Sequence, residues 1–413
     1  MSSILVLVGL LVLAYLGSIL VGGRSVRGYG LPSGSEWVLL GLVVGPHALG
    51  TVTRPTLSAL EPLALVALAW LALVTGIDYG FVGPRRIRLR RLFAAVVLSL
   101  GSAIGVAGAF AVYAQTFTTL RGHDLLIACI GVGAVSCETT RYAVRWVAER
   151  YAAQGPLSDL VADIADGDDI VPLVAITVAF TLDPTPGLTL VLPFWGLALA
   201  TLGTGALLGA LGSALLRVEL RVTQTWGIVL GAALFGVGIA TRIGSSALGL
   251  CFVLGLALSL LAGRREELRA MVEPSEHSVI LPVLVLAGAY VDFDAPARVG
   301  LLVAVVLAAR VAVKWTSGAL LRLSRGGQSA GPFLGFGLLP SGALAMAFGL
   351  AFALRFPGEV GQTVLVVALA VTLFGELFGP TALLFALRRA GEVDAPTSSR
   401  FGRRSDRPPA RAP

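Results

Sequence analysis

The chain has 413 residues, of which 56% are hydrophobic and only 13% are charged, and its formal net charge is +7. Soluble globular proteins carry about a quarter charged residues, so the composition excludes a soluble enzyme. Most of the basic residues lie in loops between apolar runs, which excludes a nucleic-acid binder. The cysteines Cys129, Cys137 and Cys251 lie inside such runs and are too few for a disulfide scaffold.

Apolar runs long enough to cross a bilayer, roughly 20 residues each, recur along the whole chain. Continuous runs favour helices over the ~10-residue alternating segments of a membrane barrel. The first run lacks a basic start and a clear cleavage site, which predicts a span and not a signal peptide. The sequence therefore predicts an all-α polytopic membrane protein with thirteen transmembrane helices. They lie at about 3–22, 35–50, 56–80, 92–115, 125–150, 156–182, 187–216, 223–241, 245–262, 277–292, 296–322, 331–355 and 359–388.

The basic residues are distributed unequally between the two sides of the predicted membrane domain, which covers residues 1–391. The loops after odd-numbered helices and the C-terminal tail carry 23 arginines, whereas the loops after even-numbered helices carry five. The positive-inside rule then predicts an external N-terminus and a cytoplasmic C-terminus. Because residues 392–413 are rich in Arg, Pro and Ser, we expect a disordered basic cytoplasmic tail.

The sixth predicted helix carries five aspartates. Asp159, Asp163 and Asp166 share one helical face. We expect Asp163 and Asp166 to form a cytoplasmic funnel, whereas Asp159 fits an ordinary wet helix start. At 1.5 Å per residue, Asp168 and Asp169 lie roughly 18 Å from the start of the helix, near mid-bilayer. Ionisable groups at that depth mark function by default and need water or a cation to compensate them.

Lys314 is the only lysine in a chain with thirty arginines. It lies about 12 Å from the cytoplasmic end of the eleventh predicted helix, a depth from which its side chain could reach Asp168. A buried lysine can lose its proton, whereas an arginine stays charged. The alternative is a lysine that snorkels to the membrane surface. Arg310 lies one turn deeper on the same face, without an easy snorkelling route.

Polar and helix-breaking residues interrupt the fifth and twelfth predicted helices. They are Gly131, Gly133, Glu138, Thr139, Thr140 and Arg141 in the fifth helix, and Pro340, Ser341 and Gly342 in the twelfth. An open backbone at mid-membrane is tolerated only where it is buried in protein or lines a cavity. Two broken helices in matching halves indicate the substrate site of an inverted-repeat transporter. Alternatively, Glu138 and Arg141 form a simple i,i+3 ion pair that stabilises the break.

Several motifs in this order resemble the cation–proton antiporter superfamily, in the Kef/NapA-like branch of sodium/hydrogen exchangers, over about residues 30–394. Asp168-Asp169-Ile170 matches the paired-carboxylate motif, and Lys314 falls on the family lysine that faces it. The weaker matches are GPHALG at Gly45–Gly50, Thr139-Thr140 in the broken helix, Pro282–Gly288 with Asp292, and Gly375–Glu392.

One motif departs from the branch. Ser341-Gly342-Ala343 stands where the branch usually has Arg-Gly-Glu, and Glu138, Arg141 and Arg310 lie outside its pattern. Arg310 and Arg141 are therefore the candidate replacements for the missing arginine.

The resemblance implies two inverted five-helix repeats whose broken helices cross. Core helices would span about 92–182 and 296–388, and dimerisation helices about 3–80 and 223–292. It also implies that Asp169 is the ion and proton ligand, with Asp168 and the threonines of the broken helix beside it. Kef-type potassium systems usually have Gln before the aspartate and a C-terminal nucleotide-binding domain. Asp168 and the short tail favour a sodium/proton exchanger instead.

We therefore expect a secondary transporter, not an enzyme, in the plasma membrane (inner membrane) of a bacterium or archaeon, without a cofactor. As a homodimer it would exchange cytoplasmic Na⁺ for external H⁺, with Li⁺ or K⁺ as alternative cations. Na⁺ would bind at Asp168 and Asp169, while Lys314, Arg310, Glu138 and Arg141 would form coupling ion pairs. Two alternatives stay open: a sodium-coupled organic-anion symporter of the same fold, and a transport-inactive scaffold or sensor.

Overall fold

The helices of the protein follow its apolar runs. The computed structural model describes residues 34–85, 89–184, 192–217, 222–262, 265–292, 296–322 and 333–393, together with Gly9. The regular elements in these ranges are all helical: α1 Glu36–Val44, α2 Arg54–Arg85, α3 Leu89–Phe117, α4 Gly122–Cys137, α5 Arg141–Tyr151, α6 Pro156–Gly167, α7 Ile170–Leu182, α8 Phe194–Leu215, α9 Val222–Ile243, α10 Ala247–Leu261, α11 Arg265–Tyr290, α12 Pro296–Arg322, α13 Leu334–Gly337, α14 Ala343–Arg355 and α15 Glu359–Arg389.

The fifth, sixth and twelfth predicted helices are each split in two, as α4–α5, α6–α7 and α13–α14. The predicted first helix, apart from Gly9, and the tail from residue 394 lie outside the described residues. Seven of the described helices are long and apolar enough to cross a membrane. The all-helical membrane architecture predicted from the sequence is therefore confirmed.

The largest boundary difference among the described helices lies at the tenth predicted span. The tenth predicted span begins at residue 277, whereas α11 begins at Arg265. The added segment, REELRAMVEPSE, contains too many charged residues to be recognised as part of an apolar run. Its Arg, Glu, Leu, Ala and Met residues nevertheless favour helix strongly. Pro274 and Pro282 both lie inside the resulting helix.

The helices form two bundles. The first bundle contains α1, α2 and α8–α11, and the second bundle contains α3–α7 and α12–α15; the helices of each pack mainly on one another. The bundles meet where α2 contacts α6 and α14, where α7 contacts α8 and α10, and where α11 contacts α14. The broken helices thus lie in the second bundle, against the face that α2 and α11 present.

The first bundle is held together by direct backbone contact. A Cβ on Gly255 of α10 would lie 2.1 Å from the carbonyl oxygen of Leu73 on α2. A Cβ on Gly288 of α11 would likewise lie 2.1 Å from the carbonyl oxygen of Val38 on α1. Small residues at such crossings let membrane helices approach closely, which favours a rigid bundle.

The predicted broken-helix glycines do not lie in a break. Gly131 and Gly133 are buried within α4, which continues to Cys137. A Cβ on Gly131 would lie 2.6 Å from a methyl group of Val364, and one on Gly133 would lie 2.7 Å from the carbonyl oxygen of Ala103. These glycines therefore serve helix packing, because α15 and α3 approach α4 too closely for a side chain.

Candidate functional site

The two broken helices cross at their interruptions. The α4–α5 helix opens at Glu138–Thr140, and the α13–α14 helix opens at Leu338–Gly342. The backbone N–H of Thr140 donates to the carbonyl oxygen of Pro340 over 3.2 Å. The hydroxyl of Thr372 on α15 donates to the carbonyl of Gly342 over 3.2 Å. The opened backbone is therefore satisfied inside the protein, as non-helical backbone at membrane depth must be.

A carboxylate caps the second half-helix, α14, at its N-terminus. Glu138 Oε2 accepts hydrogen bonds from Ser341 Oγ over 3.0 Å and from the backbone N–H of Gly342 over 3.2 Å. Glu138 itself is 1% exposed. Because a helix N-terminus carries a partial positive charge, a carboxylate is stabilised there. Glu138 thus joins the two breaks through its side chain.

Two cations, Arg310 and Lys314, lie at the C-terminal ends of the half-helices α4 and α13. Arg310 donates to the carbonyl oxygens of Ser136, Glu138 and Leu339 over 3.0, 3.1 and 2.8 Å. Lys314 Nζ donates to the carbonyl oxygen of Glu138 over 3.0 Å. The carbonyl ends of helices carry a partial negative charge, which these cations offset. Arg310 therefore contacts both breaks, although it lies on α12 and not on a broken helix.

The paired acids lie at a short irregularity between α6 and α7. The amide of Asp168 still donates to Ile164 O over 2.9 Å, and Ser99 Oγ donates to Asp168 O over 3.4 Å. Asp168 and Asp169 are 1% and 3% exposed. The sequence predicts one continuous helix here; instead the helix is interrupted at the two acids, which separate α6 from α7.

The predicted direct bond between Lys314 and Asp168 is not formed. Lys314 Nζ donates to Thr139 Oγ1 over 2.7 Å, and Thr139 in turn lies beside the Asp168 carboxylate. A threonine at the open end of α5 therefore separates the two charges. Lys314 is still the principal positive charge acting on Asp168. It is 2% exposed, so it does not snorkel to the surface.

One carboxylate oxygen at this site has no hydrogen-bond partner among the described residues. Asp168 Oδ1 is buried and accepts no hydrogen bond from the described residues. Buried polar groups in proteins are almost always hydrogen-bonded, so an orphaned carboxylate oxygen calls for an explanation such as a bound proton or ion. The carboxylate that carries this oxygen lies beside Thr139, at the crossing of the broken helices.

Arg141 does not pair with Glu138, the alternative left open by their i,i+3 spacing. Its Nη1 lies 2.9 Å from Asp78 Oδ2, and its Nη2 lies 3.2 Å from both carboxylate oxygens of Glu276. Glu138 is the first residue of the open segment, and Arg141 is the first residue of α5. The helical geometry that an i,i+3 pair requires is therefore absent between them. Arg141 is also the principal positive charge acting on Asp169.

The remaining aspartates of α6 are partly exposed. Asp163 pairs with Arg91, and Asp166 accepts a hydrogen bond from Arg145 over 3.1 Å. Asp159 is exposed, as expected for a helix start. The sequence predicts a funnel formed by acidic residues alone. In the structure, each of these two aspartates is paired with an arginine of a neighbouring helix.

A cavity of about 650 Å³ opens on the other side of the molecule, between the two bundles. Its polar lining includes His47, Arg54, Asp292 and Glu359. Along α12 its deepest lining residue is Leu302, about 12 Å from Arg310 at the helical rise. The cavity opens among the loops that follow even-numbered predicted helices, the face predicted to be external.

Sequence reasoning missed two acids of the site. Asp78 is 5% exposed and Glu276 is 2% exposed, and neither is among the candidate residues taken from the sequence. Their partner Arg141 lies 63 and 135 positions away in sequence, beyond any local pattern. The available signal was an arginine inside an apolar helix, which requires buried acids somewhere in the fold.

The comparisons with known proteins establish the fold. No protein-family model matches the sequence, and no curated protein matches it. The structure of the sodium proton antiporter MjNhaP1 from Methanocaldococcus jannaschii at pH 8 is similar, with a TM-score of 0.66, 14% identity, and coverage of 95% of this chain and 100% of that one. An electron-microscopy structure of the same antiporter gives a TM-score of 0.67 and 15% identity, over 96% of this chain and 100% of that one. The antiporter fold predicted from the motifs is thus confirmed.

Proposed function

We propose that this protein is a monovalent cation:proton antiporter that works by alternating access. The observation that carries the proposal is the acid pair Asp168 and Asp169, buried where the broken helices cross, with one carboxylate oxygen lacking a hydrogen bond. An ionised carboxylate without a partner is costly to bury, and either a proton or a cation relieves that cost. Because both compete for the same oxygens, their fluxes are coupled.

The proposed ligands follow from what surrounds the acids. Asp169 is the obligate ligand of both ion and proton, and Asp168 shares the ion. Thr139 and Thr140 add oxygens from the open end of α5, the kind of unwound backbone that coordinates Na⁺ or H⁺ in transporters with discontinuous helices. When no ion is bound, Lys314 and Arg141 partly compensate the negative charge of the two aspartates.

We assign Na⁺ as the transported cation, with Li⁺ and K⁺ as alternatives. The assignment rests on the fold shared with a sodium proton antiporter. The asymmetry of the arginines supports a cytoplasmic C-terminus. In that orientation, we propose that the cytoplasmic cation is exchanged for external protons. We further propose a homodimer in the inner membrane of a bacterium or archaeon, joined through the first bundle.

Alternating access requires the two bundles to move against each other. Both broken helices, Lys314 and the paired acids belong to the second bundle, so the site would move as one unit past α2 and α11. The first bundle, locked by backbone contacts between its helices, would supply the fixed frame.

Flux measurement in proteoliposomes tests the proposal. Purified protein is reconstituted with a trapped pH dye and given pulses of NaCl, LiCl, KCl or choline chloride. An alkali-cation pulse should change the internal pH, and choline should not. Accumulation of an organic anion with Na⁺ but no proton flux would replace the proposal with the symporter. No flux of any kind from folded protein would favour the scaffold.

Lys314→Arg and Lys314→Ala separate the roles of charge and proton release at this site. Arginine stays protonated at every working pH, so Lys314→Arg should fold and keep part of the transport but lose the pH dependence that a titrating lysine contributes. Lys314→Ala should be less stable by about 1–3 kcal/mol, because it leaves buried acceptors with fewer donors. Flux as a function of pH and thermal unfolding in detergent measure both effects.

The opposite result would be equally informative. If both Lys314 variants match the wild type in pH profile and in melting temperature, then neither the charge nor the proton of Lys314 matters to exchange. The role that we assign to it beside Thr139 would then be wrong, whatever the flux of the wild-type protein.

A further inference from the structure

We propose that Arg141, Asp78, Glu276 and Arg269 form an interbundle latch that closes the path from the arginine-rich face to the paired acids. The proposal rests on the proposed transport function, because it assumes that the two bundles move against each other. Arg141 belongs to the second bundle, and the other three residues belong to the first. The latch is a conformational device of the transport cycle: the closed state forms it, and bundle motion must break it.

The geometry of the latch is that of a shared carboxylate. Arg141 Nη1 lies 2.9 Å from Asp78 Oδ2, and Arg269 Nε lies 2.9 Å from Asp78 Oδ1. Arg141 Nη2 bonds both oxygens of Glu276 over 3.2 Å. Charge-assisted hydrogen bonds of this kind are short and directional. A displacement of α5 by even a few ångströms past α2 and α11 therefore breaks them.

Most of the latch is buried, which increases the free-energy cost of breaking each of its contacts. The side chains of Arg141, Asp78 and Glu276 are 9%, 8% and 3% exposed, whereas that of Arg269 is 22% exposed. The guanidinium carbon of Arg141 lies 5.6 Å from the centre of the Tyr142 ring. Buried charges that lose a partner are strongly unfavourable. The network therefore favours one relative position of the two bundles.

The latch is attached directly to the ion site. Arg141 is the first residue of α5, two positions after Thr139, and it is the principal positive charge acting on Asp169. Next to Asp78, the Tyr79 hydroxyl donates to the carbonyl of Gly167 over 3.1 Å, immediately before Asp168. The contacts between α2 and α6 thus cover the paired acids on this side.

The two faces of the molecule differ in a way that fits this assignment. On the face opposite the arginine-rich loops, the bundles are separated by the cavity of about 650 Å³. On the arginine-rich side, the same pair of bundles is joined by the latch. Asp168 and Asp169 lie between these two regions and are almost fully buried. Release of Arg141 is therefore the step that exposes the acids towards the arginine-rich loops.

Accessibility of a native cysteine tests the latch. Cys137 is 1% exposed and immediately precedes Glu138 in the break, so it reports opening of the site. In a Cys129→Ser/Cys251→Ser background, Cys137 is labelled with a charged, membrane-impermeant methanethiosulfonate from the arginine-rich face. The orientation of the protein in the vesicles is determined separately, from the labelling of an Arg150→Cys variant on the arginine-rich face. Asp78→Asn and Glu276→Gln should each speed labelling from that face about fivefold or more, a typical coupling between conformational states.

Glu273→Gln is the matched control. It makes the same chemical change one turn from Glu276 on α11, but its side chain is 50% exposed and it contacts only Arg269 of the latch, at 3.7 Å. Labelling in the control should stay at the wild-type rate. Two latch variants are used so that poor folding of one, detected by thermal unfolding, leaves the other to decide.

The outcomes separate the latch from the transport function. Unchanged labelling in folded Asp78→Asn or Glu276→Gln, or equal acceleration by Glu273→Gln, overturns the latch even if the wild type exchanges cations for protons. Faster labelling confined to the latch variants supports it. Wild-type flux is measured on the same preparation, so loss of the antiporter assignment would be seen independently of the labelling result.

Discussion

Asp169→Asn should abolish cation-driven proton flux while leaving the protein folded. The amide can neither release a proton in the working range nor offer the full negative charge that a cation requires. Its thermal midpoint in detergent should equal or exceed that of the wild type, because an amide is easier to bury than a carboxylate. Proteoliposome flux and thermal unfolding, measured on the same preparation, check both parts.

Asp159→Asn is the control for that result. Asp159 lies in the first turn of α6, the helix that leads to Asp168 and Asp169, but its side chain is exposed. The identical chemical change there should leave flux close to wild type. Normal cation-driven proton flux from Asp169→Asn would contradict the proposed role of Asp169 and would shift the ion site to Asp168 or Glu138.

Arg310→Met should have the largest effect on stability. The guanidinium of Arg310 satisfies carbonyl oxygens of Ser136, Glu138 and Leu339, and its side chain is 0% exposed. Lys314 still reaches the carbonyl of Glu138, so two buried acceptors lose their donor. Each stranded acceptor costs about 1–3 kcal/mol, against a typical total stability of about 5–15 kcal/mol. We expect a large drop in the melting temperature, or failure to accumulate in the membrane.

Two further variants define the reason for the loss. Arg298→Met lies on the same helix at an exposed position, and it should melt close to wild type. Arg310→Lys keeps a charge but not the fork of donors that reaches three carbonyls, so it should fall between wild type and Arg310→Met. Wild-type stability of Arg310→Met would show that the two breaks are held by other contacts, such as those of Glu138.

Much of the fold was predictable because burial in a bilayer imposes a simple rule on the chain. Each span needs about 20 apolar residues, and each loop is marked by arginine, proline or glycine. The breaks were predictable for a related reason. Thr139-Thr140 and Pro340-Ser341-Gly342 are poor helix residues inside otherwise apolar runs, and they lie where the chain opens. The start of α11 was missed because its charged residues interrupt the apolar run, although, among those whose side chains the structure describes, only Glu276 is buried.

The side-chain pairing was far less predictable. Lys314 was expected to bond Asp168, yet the hydroxyl of Thr139 lies between them. Arg141 was grouped with Glu138, its neighbour in sequence, yet it pairs with Asp78 and Glu276 on other helices. Burial depth can be inferred from an apolar run. The choice between several buried partners depends on helix rotation and spacing, which hydropathy does not encode.

The contacts of Arg310 also determine which positions are free to vary. Its three bonds go to main-chain carbonyl oxygens, a group that all twenty amino acids carry. Substitutions at positions 136 and 339 can therefore change the side chain and still leave an acceptor in place. The constraint falls almost entirely on the arginine itself. Two distant segments can then diverge in sequence while the angle at which they cross stays fixed.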